Sequence, residues 1–237
     1  PLDFETERLM LEESLCGSRI KIDVDYDIAT TDRINAFMAK QEGSVLHFSC
    51  HGDPNYLAIE DGWGALQDLT VQDLKGFVEA GGQSLQFVFV SACHSRKTGE
   101  AFIKAGVPHV LCCQKESHRI RSVAAADFSR AFYRALAFGN SLEKSFQLAR
   151  QQVRTSSQMH PFHREEEANK FILLPANGNH DVPLFWEGAN PRAGSPCRQS
   201  PSLCTTLYPT MRLPLRPKFF QGREVEMFRV LEAIRHD

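Results

Sequence analysis

Two short runs, LQFVFV (Leu85 to Val90) and VPHVLCC (Val107 to Cys113), are nearly unbroken stretches of apolar residues. A strand with one wet face alternates polar and apolar side chains, and these do not, so both belong inside a sheet that is covered on its two sides. Helical spacing fills the gaps around them. The predicted fold class is therefore α/β, a mostly parallel sheet with helices on both faces.

The rest of the chain can be placed around that pair. Arg19 to Asp25 alternates with period two, and SVLHFS (Ser44 to Ser49) reads as a further strand. Thr31 to Lys40 carries Ile34, Phe37 and Met38 at helical spacing. Two glycines flank Trp63 within Tyr56 to Leu69, which predicts a hairpin or flap. The next helix starts at Thr70, with Asp73 at the capping-box position. Arg121 to Phe138 puts Ala124, Phe128, Ala131, Phe132, Ala135 and Leu136 on one stripe. Gly139 ends that helix, and Asn140 with Glu143 opens another, whose buried face is Leu142, Phe146, Ala149 and Val153.

Beyond Val153 the pattern weakens through a polar, His-rich stretch and recovers at KFILLP (Lys170 to Pro175). The organisation expected is one domain over 1–188, a Pro- and Ser-rich linker over 189–217, and a last segment, 218–237, that is helical from about Gly222. With 42% hydrophobic residues the chain can bury a sizeable core. Lys and Arg number 27 against 29 Asp and Glu, so no basic field points to nucleic acid or an anionic membrane. No apolar run approaches a membrane span. Cys50, Cys112 and Cys113 lie in apolar strands, which suits a reducing, cytoplasmic setting better than a disulfide framework. Pro1 stands where a start methionine is expected, so the chain reads as part of a longer protein.

His51 follows one strand and Cys93 follows another, 42 residues later. Parallel strands deliver their C-terminal ends to one edge, where α/β proteins place ligand sites, so thiol and imidazole are expected at a common cleft. An imidazole can take a thiol's proton or stabilise the thiolate. The N–H groups of Gly52 and Cys93 are the candidate oxyanion donors, with Gly52 allowing close backbone approach. Either residue alone fits a packed small side chain or a loop histidine equally well. Cys50 and His94 adjoin the chosen pair and compete for the same roles, since neighbours in a strand point to opposite faces. The Cys and His pairs lack the spacing of a zinc site, so neither metal nor other cofactor is expected.

In order along the chain, HFSCHG (His47 to Gly52), FVFVSACHS (Phe87 to Ser95), GEAFIKAGVPHVLCC (Gly99 to Cys113) and AADFSRAFYRALAFGNSLEKSFQLAR (Ala125 to Arg150) resemble the landmarks of the CHAT domain. That module belongs to the clan of caspases, separases and metacaspases. The resemblance implies a caspase-like three-layer sandwich and a cysteine endopeptidase, with His51 as base, Cys93 as nucleophile, and Gly52 and Cys93 as oxyanion donors. An acid in the primary pocket of the clan often selects Arg or Lys, and Asp53, Asp61 and Asp127 are the candidates here. The chain departs from many CHAT domains at His94 and at Cys50. FQGREVE (Phe220 to Glu226) resembles the entry of the nucleotide-binding region of STAND-type NTPases. Together these imply an effector domain in a multidomain signalling protein, whose partners are a protein or peptide substrate and regulatory domains of the same chain. The alternative is a catalytically silent caspase-like scaffold for protein–protein interaction.

Overall fold

The computed structural model describes residues 4–16, 18, 22–40, 45–114, 120–185 and 226–232. Helix α1 (Phe4–Leu15) leads into strand β1 (Ile22–Ile28), helix α2 (Thr31–Lys40) and strand β2 (Val45–Ser49). A small antiparallel sheet follows, made of β3 (His51–Asp53), β4 (Tyr56–Glu60) and β5 (Leu66–Thr70). Then come α3 (Val71–Gly81), β6 (Phe87–Ser91), α4 (Arg96–Lys104) and β7 (His109–Cys113). Three successive helices, α5 (Ser122–Ala137), α6 (Leu142–Thr155) and α7 (Pro161–Asn169), precede β8 (Phe171–Leu174), and β9 (Glu226–Glu232) comes last.

The main sheet has the order β1-β9-β2-β6-β7-β8. Strand β6 pairs parallel with both β2 and β7, and β1 runs the same way because β1 and β2 are both antiparallel to β9. Only β8 and β9 oppose them. The C-terminal ends of β1, β2, β6 and β7 therefore share one edge, the edge at which a site was expected.

The alternation of side chains divides the core in two. Val45, Phe87, Phe89, Leu111 and Cys113 face α1, α5 and α6, whereas Leu46, Phe48, Val88, Val90 and Cys112 face α2, α3 and α4. Every residue of β2 and β6 is buried, as the unbroken apolar runs require. On the first face the aromatic rings interlock, with Phe128 stacked on Phe171 at 3.8 Å and edge-on to Phe89 at 6.0 Å. Such pairs add about 0.5–1.5 kcal/mol beyond burial. The architecture is the caspase-like α/β sandwich.

Local sequence signals set several boundaries. Thr70 accepts the Asp73 N–H while Asp73 accepts from the Thr70 backbone, the reciprocal cap expected for α3. Gly139 has φ of 79°, a left-handed turn that stops α5. The cap of α6 is Ser141, whose hydroxyl accepts from Lys144 N–H. Asn140, expected in that role, instead donates its side-chain amide to the Ala135 carbonyl at the end of α5. Two helices carry weak signals. The buried side of α1 is largely Leu11, Ser14 and Leu15, and α7 inserts only Glu167 and Ala168.

The helix expected from about Gly222 is not what forms. Glu226–Glu232 is a strand that pairs with β1 on one side and β2 on the other. A short run such as EMFRVLE fits helix or strand by spacing, and pairing on two sides decides it. The expected linker, 189–217, lies outside the described residues. No helix among them is long and apolar enough to cross a membrane.

Candidate active site

Strand β2 ends at Ser49, and the next two residues part company. Cys50 is 4% exposed, packs in the core beside α2 and α3, and donates its N–H to the Ser91 carbonyl at 3.4 Å. His51 starts β3 and is exposed. The pairing of the small sheet explains the split. His51 lies beside Ala58, Gly52 beside Leu57 and Asp53 beside Tyr56. Directly paired residues share a face, and Leu57 is fully buried, so Gly52 faces inward while His51 and Asp53 stand on the outer side. Of these two neighbours, the fold leaves His51 outside and puts the thiol of Cys50, the competitor of Cys93, in the core.

Strand β6 ends at Ser91, and Ala92, Cys93 and His94 turn the chain into α4. His94 takes φ of 55°, the one left-handed non-glycine residue among those described. That conformation costs an L-residue about 1–2 kcal/mol and bends a strand sharply into a helix. Ser95, fully buried, ties the turn: its hydroxyl donates toward the carbonyls of Ala92 at 2.8 Å and Val90 at 3.1 Å and accepts the Cys113 N–H at 3.0 Å. Cys93 and His94 are each half-buried. Helix α4 begins directly after this turn, so its N-terminal end, which favours negative charge, lies next to Cys93 in the chain.

The two strand ends touch through Gly52. A Cβ built there would lie 2.6 Å from the Cys93 carbonyl oxygen and 2.9 Å from Ala92 Cβ, so no side chain fits. The close approach expected of this glycine is thus made to the backbone of the cysteine turn. It brings the segments that carry His51 and Cys93 into contact on one edge of the sheet.

A carboxyl lies beneath them that the sequence did not disclose. Glu7 of α1 accepts a hydrogen bond from Ser49 Oγ at 2.6 Å. Burial pushes its carboxyl above the usual range, and the Ser49 bond offsets part of that rise. Burial also drives the Cys50 thiol strongly upward, with the charges of Glu7 and Cys93 adding to it. Cys113 is pushed up to about 12, mainly by burial and then by Cys93. Glu7 escaped notice because α1 has a sparse apolar stripe, and Ser95 because it reads as part of the cysteine motif; its place just before α4 was the available signal.

The three candidate pocket acids are scattered. Asp53 accepts from Asn55 N–H at 3.3 Å in the β3–β4 turn, on the same outer face as His51. Asp61 caps the hairpin tip through the N–H groups of Trp63 at 2.7 Å and Ala65 at 3.0 Å, and Trp63 itself is 93% exposed. Asp127 is buried in α5, paired with Arg130 and accepting from Ser156 Oγ at 2.5 Å. Asp68, in register with Ala58 and so in the cross-strand row of His51, is a further acid on the outer face.

A sandwich of this kind, with a histidine and a cysteine segment meeting at the parallel edge, defines a caspase-like, peptidase-related module. A family model for the CHAT domain matches residues 3–194, and the chain belongs to that family. No curated protein matches the sequence.

Proposed function

We propose that the domain is a cysteine endopeptidase in which His51 and Cys93 form the catalytic dyad. The observation that carries the reading is the contact of Gly52 with the Cys93 turn, which joins the histidine and cysteine segments at the rim. The split between Cys50 and His51 supports it, since the thiol of Cys50 is buried in the core and His51 is exposed at the rim.

In this mechanism the Cys93 sulfur attacks the scissile carbonyl after its proton passes to His51. The oxyanion takes hydrogen bonds from the Gly52 and Cys93 N–H groups. His51 protonates the leaving amine, the C–N bond breaks, and a thioester remains. Water, deprotonated by His51, hydrolyses that thioester and restores the thiol. Asp53 and Asp68 stand on the face of His51 and are the acids best placed to meet a basic substrate residue, ahead of Asp61 and Asp127. The domain acts as the effector of a multidomain signalling protein, and the FQGREVE segment points to a nucleotide-driven partner region of the same chain.

The test is covalent labelling of the complete, activated protein with a peptide carrying a thiol-reactive group. Cys93→Ala abolishes labelling, and His51→Ala slows it about 10²–10⁴-fold. Cys50→Ala and His94→Asn retain it, because Cys50 is buried and asparagine tolerates the left-handed turn. Equal labelling of all four variants would overturn the enzyme in favour of a silent scaffold.

A further inference from the structure

Cys93 has a neighbour that peptide hydrolysis does not use. Cysteines lie at or just beyond the ends of three adjacent parallel strands, Cys50 after β2, Cys93 after β6 and Cys113 closing β7, and all three are free thiols. Register separates the two that flank Cys93. Ser49 pairs with Ser91, so Cys50 stands level with Ala92, one residue short of Cys93. The Cys50 N–H meets the Ser91 carbonyl at 3.4 Å and Gly52, two residues on, touches the Cys93 turn, so the backbones that carry the two thiols run side by side.

Cys113 is less well placed. Phe89 pairs with Leu111, which carries Ser91 level with Cys113 and leaves it two residues short of Cys93. The turn keeps close to the continuation of β2, as the 2.6 Å approach of a Gly52 Cβ to the Cys93 carbonyl requires.

We propose that Cys50 is a resolving thiol for Cys93, and that a Cys50–Cys93 disulfide formed by hydroperoxides is a reversible modification that withdraws the nucleophile. The inference rests on the reading of Cys93 as a reactive thiol. A hydroperoxide gives one oxygen to the Cys93 thiolate: an S–O bond forms, the O–O bond breaks, and alcohol or water leaves after taking up a proton. Cys93 is thereby oxidised by two electrons to a sulfenic acid, and the peroxide is reduced. The Cys50 sulfur then attacks the Cys93 sulfur. The S–S bond forms, the S–O bond breaks, and the hydroxyl departs as water with the Cys50 proton. The order of events follows from exposure. Cys50, at 4% exposed and held protonated by burial and nearby charge, is a poor first target, whereas half-buried Cys93 is within reach of peroxide.

The experiment exposes the full chain to a small excess of hydrogen peroxide, blocks remaining thiols with an alkylating agent, and maps peptides without reduction. A mass lower by two hydrogens is expected, with one cross-linked peptide pair containing Cys50 and Cys93. Dithiothreitol should restore both the mass and labelling of Cys93. In Cys50→Ser the cross-link is lost and Cys93 passes to sulfinic and sulfonic acids that dithiothreitol does not reverse, while Cys113→Ser keeps the cross-link. Wild-type protein that goes to those higher acids without a cross-link overturns the inference, as does a Cys93–Cys113 cross-link. The wild-type map decides even where Cys50→Ser folds poorly. Peptide-probe labelling of untreated protein reports on the peptidase reading separately: a chain that labels but does not cross-link sinks this inference alone.

Discussion

Ser95 joins three chain segments through one oxygen, and that oxygen sets where the cysteine turn lies. Its hydroxyl binds β6 at Val90, the turn at Ala92 and the end of β7 at Cys113. Ser95→Ala leaves the buried Cys113 N–H and the Ala92 carbonyl without this partner, a loss of about 1–3 kcal/mol. Urea denaturation should show that loss, and the rate of Cys93 labelling should fall with it. Lower stability with an unchanged labelling rate would mean that the hydroxyl does not position the nucleophile. His94 illustrates the same scale differently. Its left-handed backbone is the bend between strand and helix, and nothing in the residue type announces it, since a histidine beside a cysteine reads first as chemistry.

Among the elements, α7 ends in a buried ion pair just before β8. Lys170 and Glu167 form a 2.7 Å ion pair with side chains 2% and 3% exposed, and Glu167 also accepts the Arg121 N–H at 3.1 Å, reaching the start of α5. Lys170→Met leaves the buried Glu167 carboxylate with the Arg121 guanidinium at 3.5 Å as its cation, so the variant should be less stable by about 1–3 kcal/mol. The double variant Lys170→Met/Glu167→Leu should recover much of that in chemical denaturation. If the double variant is as unstable as the single, the pair matters through the Arg121 contact instead. Element boundaries were legible wherever a cap or a full apolar stripe marked them, as for α2, α3 and α5. They were not legible for α7, which begins at Pro161 and packs mostly through a buried carboxylate and a small residue. Nor were they for β9, whose conformation is set by the strands on either side.

For the molecule as a whole, acid sensitivity should centre on His47. Its ring is fully buried, stacked on Phe89 at 4.4 Å and near Tyr133 at 5.6 Å, and burial lowers its pKa from 6.5 to about 3. The unfolded chain binds a proton here below pH 6.5 and the folded chain does not. Stability from this site is therefore complete above that value and falls as pH drops toward 3, by about 1.4 kcal/mol per pH unit. Glu7 acts with the opposite sign, because its raised carboxyl favours the folded state in acid and loses that contribution as pH rises. Comparing wild type with His47→Phe cancels the Glu7 effect. Melting temperature should drop between pH 7 and 5 more steeply in wild type than in the variant, and parallel curves would refute the assignment.

The sequence by itself determined the class of fold, because runs such as LQFVFV have no wet face to offer and must be covered on both sides. It also marked the two strand ends at His51 and Cys93, since strand periodicity shows where an apolar run stops. Only the tertiary structure decided that His51 faces out while Cys50 faces in, that Gly52 packs on the Cys93 turn, and that the carboxyl of Glu7 lies below Ser49. Those outcomes depend on register and on contacts between residues dozens of positions apart, and no local spacing carries that information.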